Sequence, residues 1–309
     1  MNFMKHLKFA GILIAGICWS GPCAVASSAG YEPFNFLFLD SSVRAVGMGG
    51  AYTALATDAS ALSYNPAGLG RIGNREASFM HNQYFESITQ EYLGFADPRG
   101  WGASLNYLNF GDVPKTTISN PAGTGLGSAG MKDMAVSAGY GHAISDSLSV
   151  GVGGKLIKES IDNVSVNAFA ADLGVLFNMP GMSKLTLGFA VQNLGPAIKF
   201  QSAEENLPLN LRAGAGYGFT LLGRKSTAAL DITKERRESA LLNLGVEVLV
   251  AKTVPVRLGF NTRNDAGSGI SAGLGWIHKN FNFDYAIVSF GDLGITHRIS
   301  LTCMWGRGD

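Results

Sequence analysis

From about Glu76 to Trp305 the chain alternates apolar residues with small or polar ones, in segments separated by turn residues. A period of two is that of a strand with one apolar face. In the last segment Ile295, Ile299, Leu301, Cys303 and Trp305 share a face, interrupted by His297, while Thr296, Arg298, Ser300 and Thr302 share the other. Val254, Val256, Leu258 and Phe260 repeat the design opposite Arg257, Gly259, Asn261 and Arg263. Carried along the chain, the pattern predicts 14 strands, at 76–83, 88–97, 100–109, 131–142, 146–159, 164–178, 184–194, 208–218, 225–234, 241–251, 254–263, 268–278, 281–289 and 294–304. An even number of antiparallel strands closes into a barrel with both ends on one side. On that side the connections are expected to be short, as at Pro98-Arg99, Ala143–Ser145, Lys252-Thr253 and Lys279-Asn280, with longer loops at 110–130 and 195–207 on the other.

The same alternation would suit a soluble all-β protein, and the polar face decides between the two. Opposite the apolar face lie Lys155, Asp172, Arg212, Asp231, Glu247, Arg257, Arg263, Asp284 and Arg298, five cations and four anions. A dry core does not hold nine ionised groups, each costing several kcal/mol to desolvate unless paired. A wet or plugged lumen does, and the mixed signs point to ion pairs across it. For any one of these residues a structural pair outweighs a ligand contact. Composition agrees: 46% of residues are hydrophobic and 15% charged, leaving little solvating surface. Trp101, Tyr107, Tyr217, Trp276, Phe281, Tyr285 and Trp305 fall near predicted strand ends, as an interfacial girdle would. The 41 glycines suit a curved wall that leaves room for a plug.

The ends of the chain differ from this pattern. Residues 1–26 carry Lys5 and Lys8, an apolar run from Phe9 to Trp19 and the triplet Ala24-Val25-Ala26, which reads as a Sec signal peptide cleaved after Ala26. Residues 27–75 are rich in Ala, Gly and Ser without membrane-length alternation, which suits a compact plug ahead of a barrel at 76–305 and a tail at 306–309. Within that segment the run Arg44-Ala45-Val46-Gly47-Met48-Gly49-Gly50-Ala51-Tyr52 is followed by Asp58-Ala59-Ser60-Ala61 and Tyr64-Asn65-Pro66-Ala67-Gly68-Leu69. Together with Phe283–Ala286 and Gly291–Arg298 near the end of the chain, these motifs resemble the PorV/PorQ family of outer-membrane proteins, formerly of the UPF0164 type and related to FadL-type transporters. The resemblance implies an all-β, 14-stranded antiparallel transmembrane β-barrel, FadL-like, with an N-terminal plug in the outer membrane of a Gram-negative cell. Arg44, Gly47, Gly49, Gly50, Asn65, Pro66, Ala67 and Gly68 are then its plug motif. Pro66 fixes φ and holds Asn65 extended, making a rigid corner.

No catalytic chemistry emerges. The mature chain keeps His81, His142, His278 and His297, with no i, i+4 pair and no cysteine partner, so neither a metal site nor a cofactor is expected. No G-x-S-x-G elbow occurs, and Gly125–Gly130 matches G-x-G-x-x-G in a loop with no following helix. Lys plus Arg is 24 against 23 for Asp plus Glu, which gives no footprint for nucleic acid. Lipid is the expected surrounding partner. Two functions fit the resemblance: binding or shuttling exported cargo proteins in a type IX-like secretion pathway, or carrying a hydrophobic small molecule across the outer membrane. Pro196, Ile198 and Phe200, beside Glu204 and Glu205, are the extracellular-loop candidates for either contact.

Overall fold

The structure, a computed structural model, describes residues 33–85, 87–200, 203–236, 238–263 and 267–307. The expected signal peptide lies outside the described residues. Seven strands make the first half of the wall: β1 (Asn74–Gln83), β2 (Thr89–Ala96), β3 (Trp101–Pro114), β4 (Ser128–Ala143), β5 (Leu148–Ile161), β6 (Val164–Asn178) and β7 (Leu185–Leu194). A small hairpin, β8 (Ile198–Phe200) with β9 (Ala203–Glu205), stands apart from it. The second half is β10 (Asn210–Leu221), β11 (Arg224–Glu235), β12 (Leu241–Ala251), β13 (Val254–Asn261), β14 (Ile270–His278), β15 (Phe281–Ser289) and β16 (Ile295–Arg307). Neighbours pair antiparallel, β7 pairs β10, and β1 pairs β16, so 14 strands close into a barrel.

Two of the expected loops are smaller than the alternation suggests. β3 continues to Pro114 and β4 begins at Ser128, so the loop expected at 110–130 contracts to 115–127. The ladder survives there through a register shift between Asn109 and Asp112, which absorbs Phe110 and Gly111. The expected loop at 195–207 folds in part into the β8–β9 hairpin. At the other end β16 reaches Arg307, so Gly306 still belongs to the wall. Tyr107 lies mid-strand in β3, not at an end, whereas Trp101 and Phe281 open their strands and Trp276 and Trp305 lie near the close of theirs.

The wall is apolar outside and polar inside. Phe79, Leu93, Phe169, Phe189, Leu258, Leu274, Ile299 and Leu301 are exposed on the outer face, while Lys155, Asp172, Asp231, Arg257 and Arg298 are buried on the inner one. That inversion suits a surround of lipid. Among the described residues no helix is long and apolar enough to cross a membrane.

Residues 33–73 run inside the ring. They form a 3-10 turn at Asn35–Phe38, helical turns at Val43–Gly47 and Ala61–Tyr64, and a 3-10 turn at Pro66–Arg71. Helices this short are not stable alone, so the wall must hold their shape. Their side chains are buried: Met48, Tyr52, Leu62, Tyr64 and Leu69 are fully enclosed. Toward the loop end Phe34 and Phe36 pack with Leu108, Ile157, Ile198 and Leu207 in an apolar cluster.

Candidate functional site

The interface between this inner segment and the barrel wall gathers most of the residues singled out in the sequence. It rests first on close backbone approach. A Cβ at Gly174 of β6 would lie 2.1 Å from Asn65 Oδ1, and one at Gly151 of β5 would lie 2.3 Å from Ala67 N. The Asn65-Pro66-Ala67 corner therefore sits on a patch of wall stripped of side chains. Asn65 is extended (φ −159°, ψ 103°), as the residue before proline should be. Its amide donates to the carbonyls of Thr53 and Val175, both at 3.0 Å, and its Oδ1 accepts from Ala67 N at 3.1 Å, capping the turn that starts at Pro66. One side chain thus ties the segment to itself and to β6. Within the segment, a Cβ at Gly68 would meet the Ala56 carbonyl oxygen at 1.6 Å.

The glycines of the first motif work in the same way on the opposite wall. Gly47 lies over Gly273 and the Arg257 stem. Gly49 has φ +66°, and a Cβ there would come within 2.5 Å of Phe260 N, so both its backbone and its contact require glycine. Gly50 has φ +81°, and its carbonyl accepts from Arg212 Nη2 at 2.9 Å.

Charge supplies the second layer. Arg44 forks onto Glu247 (Nε 2.9 Å, Nη2 2.7 Å), and Arg257 joins Glu247 at 2.6 Å to Asp284 at 2.5 Å, giving a chain Arg44–Glu247–Arg257–Asp284 from the segment into the wall. Asp231, wholly buried on β11, accepts from Tyr52 N (3.0 Å), Thr53 N (2.8 Å), Thr53 Oγ1 (2.5 Å) and Arg212 Nη2 (3.3 Å). Arg212 also donates to Thr53 Oγ1 at 2.9 Å. Arg263, near the loop end, pairs with Glu235 and donates to the Phe38 carbonyl at 2.5 Å. Lys155 pairs with Asp172 at 2.9 Å and donates to Asn193 Oδ1 at 2.7 Å, within the wall. Arg298 differs: it donates to the Tyr84 hydroxyl at 3.0 Å and lies over that ring, while its Nε has no hydrogen-bond partner.

Several anchors escaped the reading of the sequence. Arg71 donates to Ser149 Oγ, Asn178 Oδ1 and the carbonyls of Ser147 and Leu176, fastening the end of the segment to β5 and β6. Glu159 accepts from Phe34 N at 2.9 Å. Glu159, Asp133 and Glu235 share the inward parity of Lys155 and Asp231 along their strands, and that parity was the signal for them. Tyr64 stacks edge-on to Tyr52 at 5.1 Å and donates to Asp40 at 3.0 Å. Burial, reinforced by Asp40, pushes its hydroxyl well above the ordinary range and keeps it a donor.

The loop candidates separate. Ile198 is buried in the apolar cluster with Phe34 and Phe36 and so faces the lumen, Pro196 is exposed, and Phe200 pairs through its backbone with Ala203. Exposed apolar groups lie instead on the long β3–β4 hairpin, at Val113, Ile118 and Leu126. Among the described residues no cluster of His, Cys, Asp and Glu could hold a metal ion.

Comparison with known proteins places this geometry. The sequence profile of an uncharacterised protein family, UPF0164, matches residues 23–210, and that of the type IX secretion system membrane protein PorP/SprF matches residues 128–302. A UPF0164 protein of Treponema pallidum (strain Nichols) is 28% identical over 182 residues, which cover 53% of this chain and 44% of that protein. The chain therefore spans less than half the length of that curated relative. Among solved structures, the toluene transporter TbuX of Ralstonia pickettii aligns with a TM-score of 0.60 at 14% identity, over 85% of this chain and 97% of the other. The toluene transporter TodX of Pseudomonas putida gives 0.54 at 12% identity, over 84% and 95%. A FadL homologue of Pseudomonas aeruginosa gives 0.52 at 12% identity, over 86% and 98%. At these identities the likeness is one of fold.

Proposed function

Since the chain belongs to the UPF0164 family and carries the PorP/SprF pattern across most of its wall, we propose that it is a non-catalytic outer-membrane barrel that binds exported proteins or secretion machinery in a type IX-like pathway, as a PorV/PorQ-type protein would. The two ends of its barrel, where β1 begins and β16 ends, face the periplasm and its longer loops the exterior, and a Sec signal peptide directs its export. The observation that carries this reading is the plugged lumen. Residues 33–73 occupy it and are bonded to both halves of the wall, which leaves the ends of the barrel, rather than a pore through it, as the working surfaces. The β3–β4 hairpin, with Val113, Ile118 and Leu126 exposed, is the surface offered to cargo.

A second reading, passage of a hydrophobic small molecule, draws on the fold shared with two toluene transporters and on the apolar cluster beneath the β8–β9 hairpin. Crosslinking in the native outer membrane, followed by mass spectrometry of bound proteins and lipids, separates the two. Exported proteins with a common C-terminal domain, lost on shortening 115–127 or on Ile118→Asp, are expected. A stoichiometric hydrophobic molecule with no protein partner would replace the secretion reading by the transport one.

A further inference from the structure

At the end of the lumen where β1 begins and β16 ends, the inner segment does not fill the barrel. A cavity of about 420 Å³ remains between Ser41–Arg44 and Thr57–Ser60 on one side and the inner faces of β11–β16 and β1 on the other. That volume lies within the roughly 300–1,000 Å³ of small-molecule sites. Its ionic groups do not cancel evenly. Arg44 and Arg257 are already committed to Glu247 and Asp284, and Lys225, at the start of β11, is the third cation of the lining, against four carboxylates in all. Two more carboxylates, Asp58 and Glu76, have no cation among their hydrogen-bond partners. Glu76 accepts from Ala59 N at 3.1 Å, and Asp58 accepts from Ser60 N at 2.9 Å, Ser60 Oγ at 2.5 Å and the Tyr52 hydroxyl. Because they take successive amides, the two carboxylates flank a single turn of the segment. From Glu76 the wall continues in hydroxyls, Ser78 and then Thr302, which donates to Ser78 at 2.9 Å, and on to Asn282, whose Oδ1 has no hydrogen-bond partner.

A concave site whose carboxylates outnumber its cations concentrates further cations. Both guanidiniums are spent on Glu247 and Asp284, Lys225 stands on β11, six strands around the ring from Glu76 on β1, and no three His, Cys, Asp or Glu among the described residues converge as a metal site. We propose that this cavity binds a primary ammonium group, seated between Asp58 and Glu76, with its aliphatic chain running along the hydroxyl row. The ammonium has two sources, a free aliphatic diamine or the lysine side chain of a peptide arriving from the end where β1 begins and β16 ends. The site lies at the opposite end from the loops assigned to cargo, so it stands or falls apart from that reading.

The test is calorimetric titration of the full barrel in nonionic detergent at low ionic strength, with cadaverine and separately with a short lysine-containing peptide capped at both ends. Saturable binding of either probe is expected, weakening as sodium chloride is added and roughly tenfold weaker, about 1.4 kcal/mol, in Asp58→Asn combined with Glu76→Gln. Thr302→Lys places a tethered ammonium in the cavity and is expected to abolish binding while the barrel keeps its folded gel mobility. Glu204→Gln, on β9 at the far end, leaves binding unchanged. Binding of cadaverine alone identifies a small molecule, and binding of the peptide alone identifies a peptide; both outcomes support the site. Absence of saturable binding by both probes, or binding that survives both the double variant and Thr302→Lys, overturns it.

Discussion

The two sides of the barrel grip the inner segment by different means. On the β4–β6 side the contact is one of shape: Gly151 and Gly174 admit the Asn65–Ala67 corner, and Arg71 closes it through neutral oxygens. On the β10–β15 side the contact is ionic, through Asp231 on two successive amides and the chain from Arg44 to Asp284. Steric fit is indifferent to salt and pH, whereas ion pairs that reach water respond to both. Arg44 is one-third exposed and beside the cavity, so the ionic side is also the hydrated one. The segment is therefore anchored permanently on one side and adjustably on the other.

The largest effect is expected from the ionic side. Asp231→Ala strips the partner from Arg212 and from the amides of Tyr52 and Thr53, and should destabilise the barrel by about 3–5 kcal/mol. Urea unfolding in lipid vesicles measures it, and an unchanged midpoint would remove Asp231 as an anchor. On the fitted side Gly174→Ala forces Asn65 out of place for about 1–3 kcal/mol, with hydrogen exchange rising at 65–71 while 44–53 stay protected. Exchange spread evenly over the segment would mean that the two sides are not independent. Glu247→Gln is smaller, about 1 kcal/mol, because Arg44 keeps access to water. It should remove the salt dependence of proteolysis near Arg44 and leave that near Arg71 alone.

The smallest effect lies outside the lumen. At the β2–β3 turn, hydrogen bonds from Arg99 and then Arg75 hold the Asp97 carboxyl well below the usual carboxylate range. A depressed folded value stabilises above the unfolded pKa, so this contribution is complete at neutral pH and fades only as pH falls below about 4. Asp97→Asn should flatten that acid limb and lower stability slightly at pH 7, with the two unfolding curves converging as pH falls below about 4; a difference that persists unchanged into acid would show that Asp97 acts by another route.

Much of the wall was legible because period-two alternation must persist wherever one face meets lipid. The spans 164–178, 241–251 and 281–289 coincide with β6, β12 and β15. The alternation lapses at Phe110–Pro114 and Ser128–Gly130, where polar residues and glycines extend the hairpin beyond the apolar belt and nothing enforces the pattern. Parity also told which way Lys155 and Asp172 face, but not that they meet, since pairing depends on a register that no local pattern encodes. The same holds for Asn65-Pro66-Ala67. Its rigidity is readable in place, while the Gly151 and Gly174 that receive it lie far along the chain.

Residues 33–73 precede β1, and the ring shuts where β1 meets β16, the last of its strands in chain order. The occupant is therefore synthesised before its enclosure exists, and the sheet can curl around it as around a mandrel, with the inward glycines setting how tightly each strand lies. Loading needs no doorway in the finished wall.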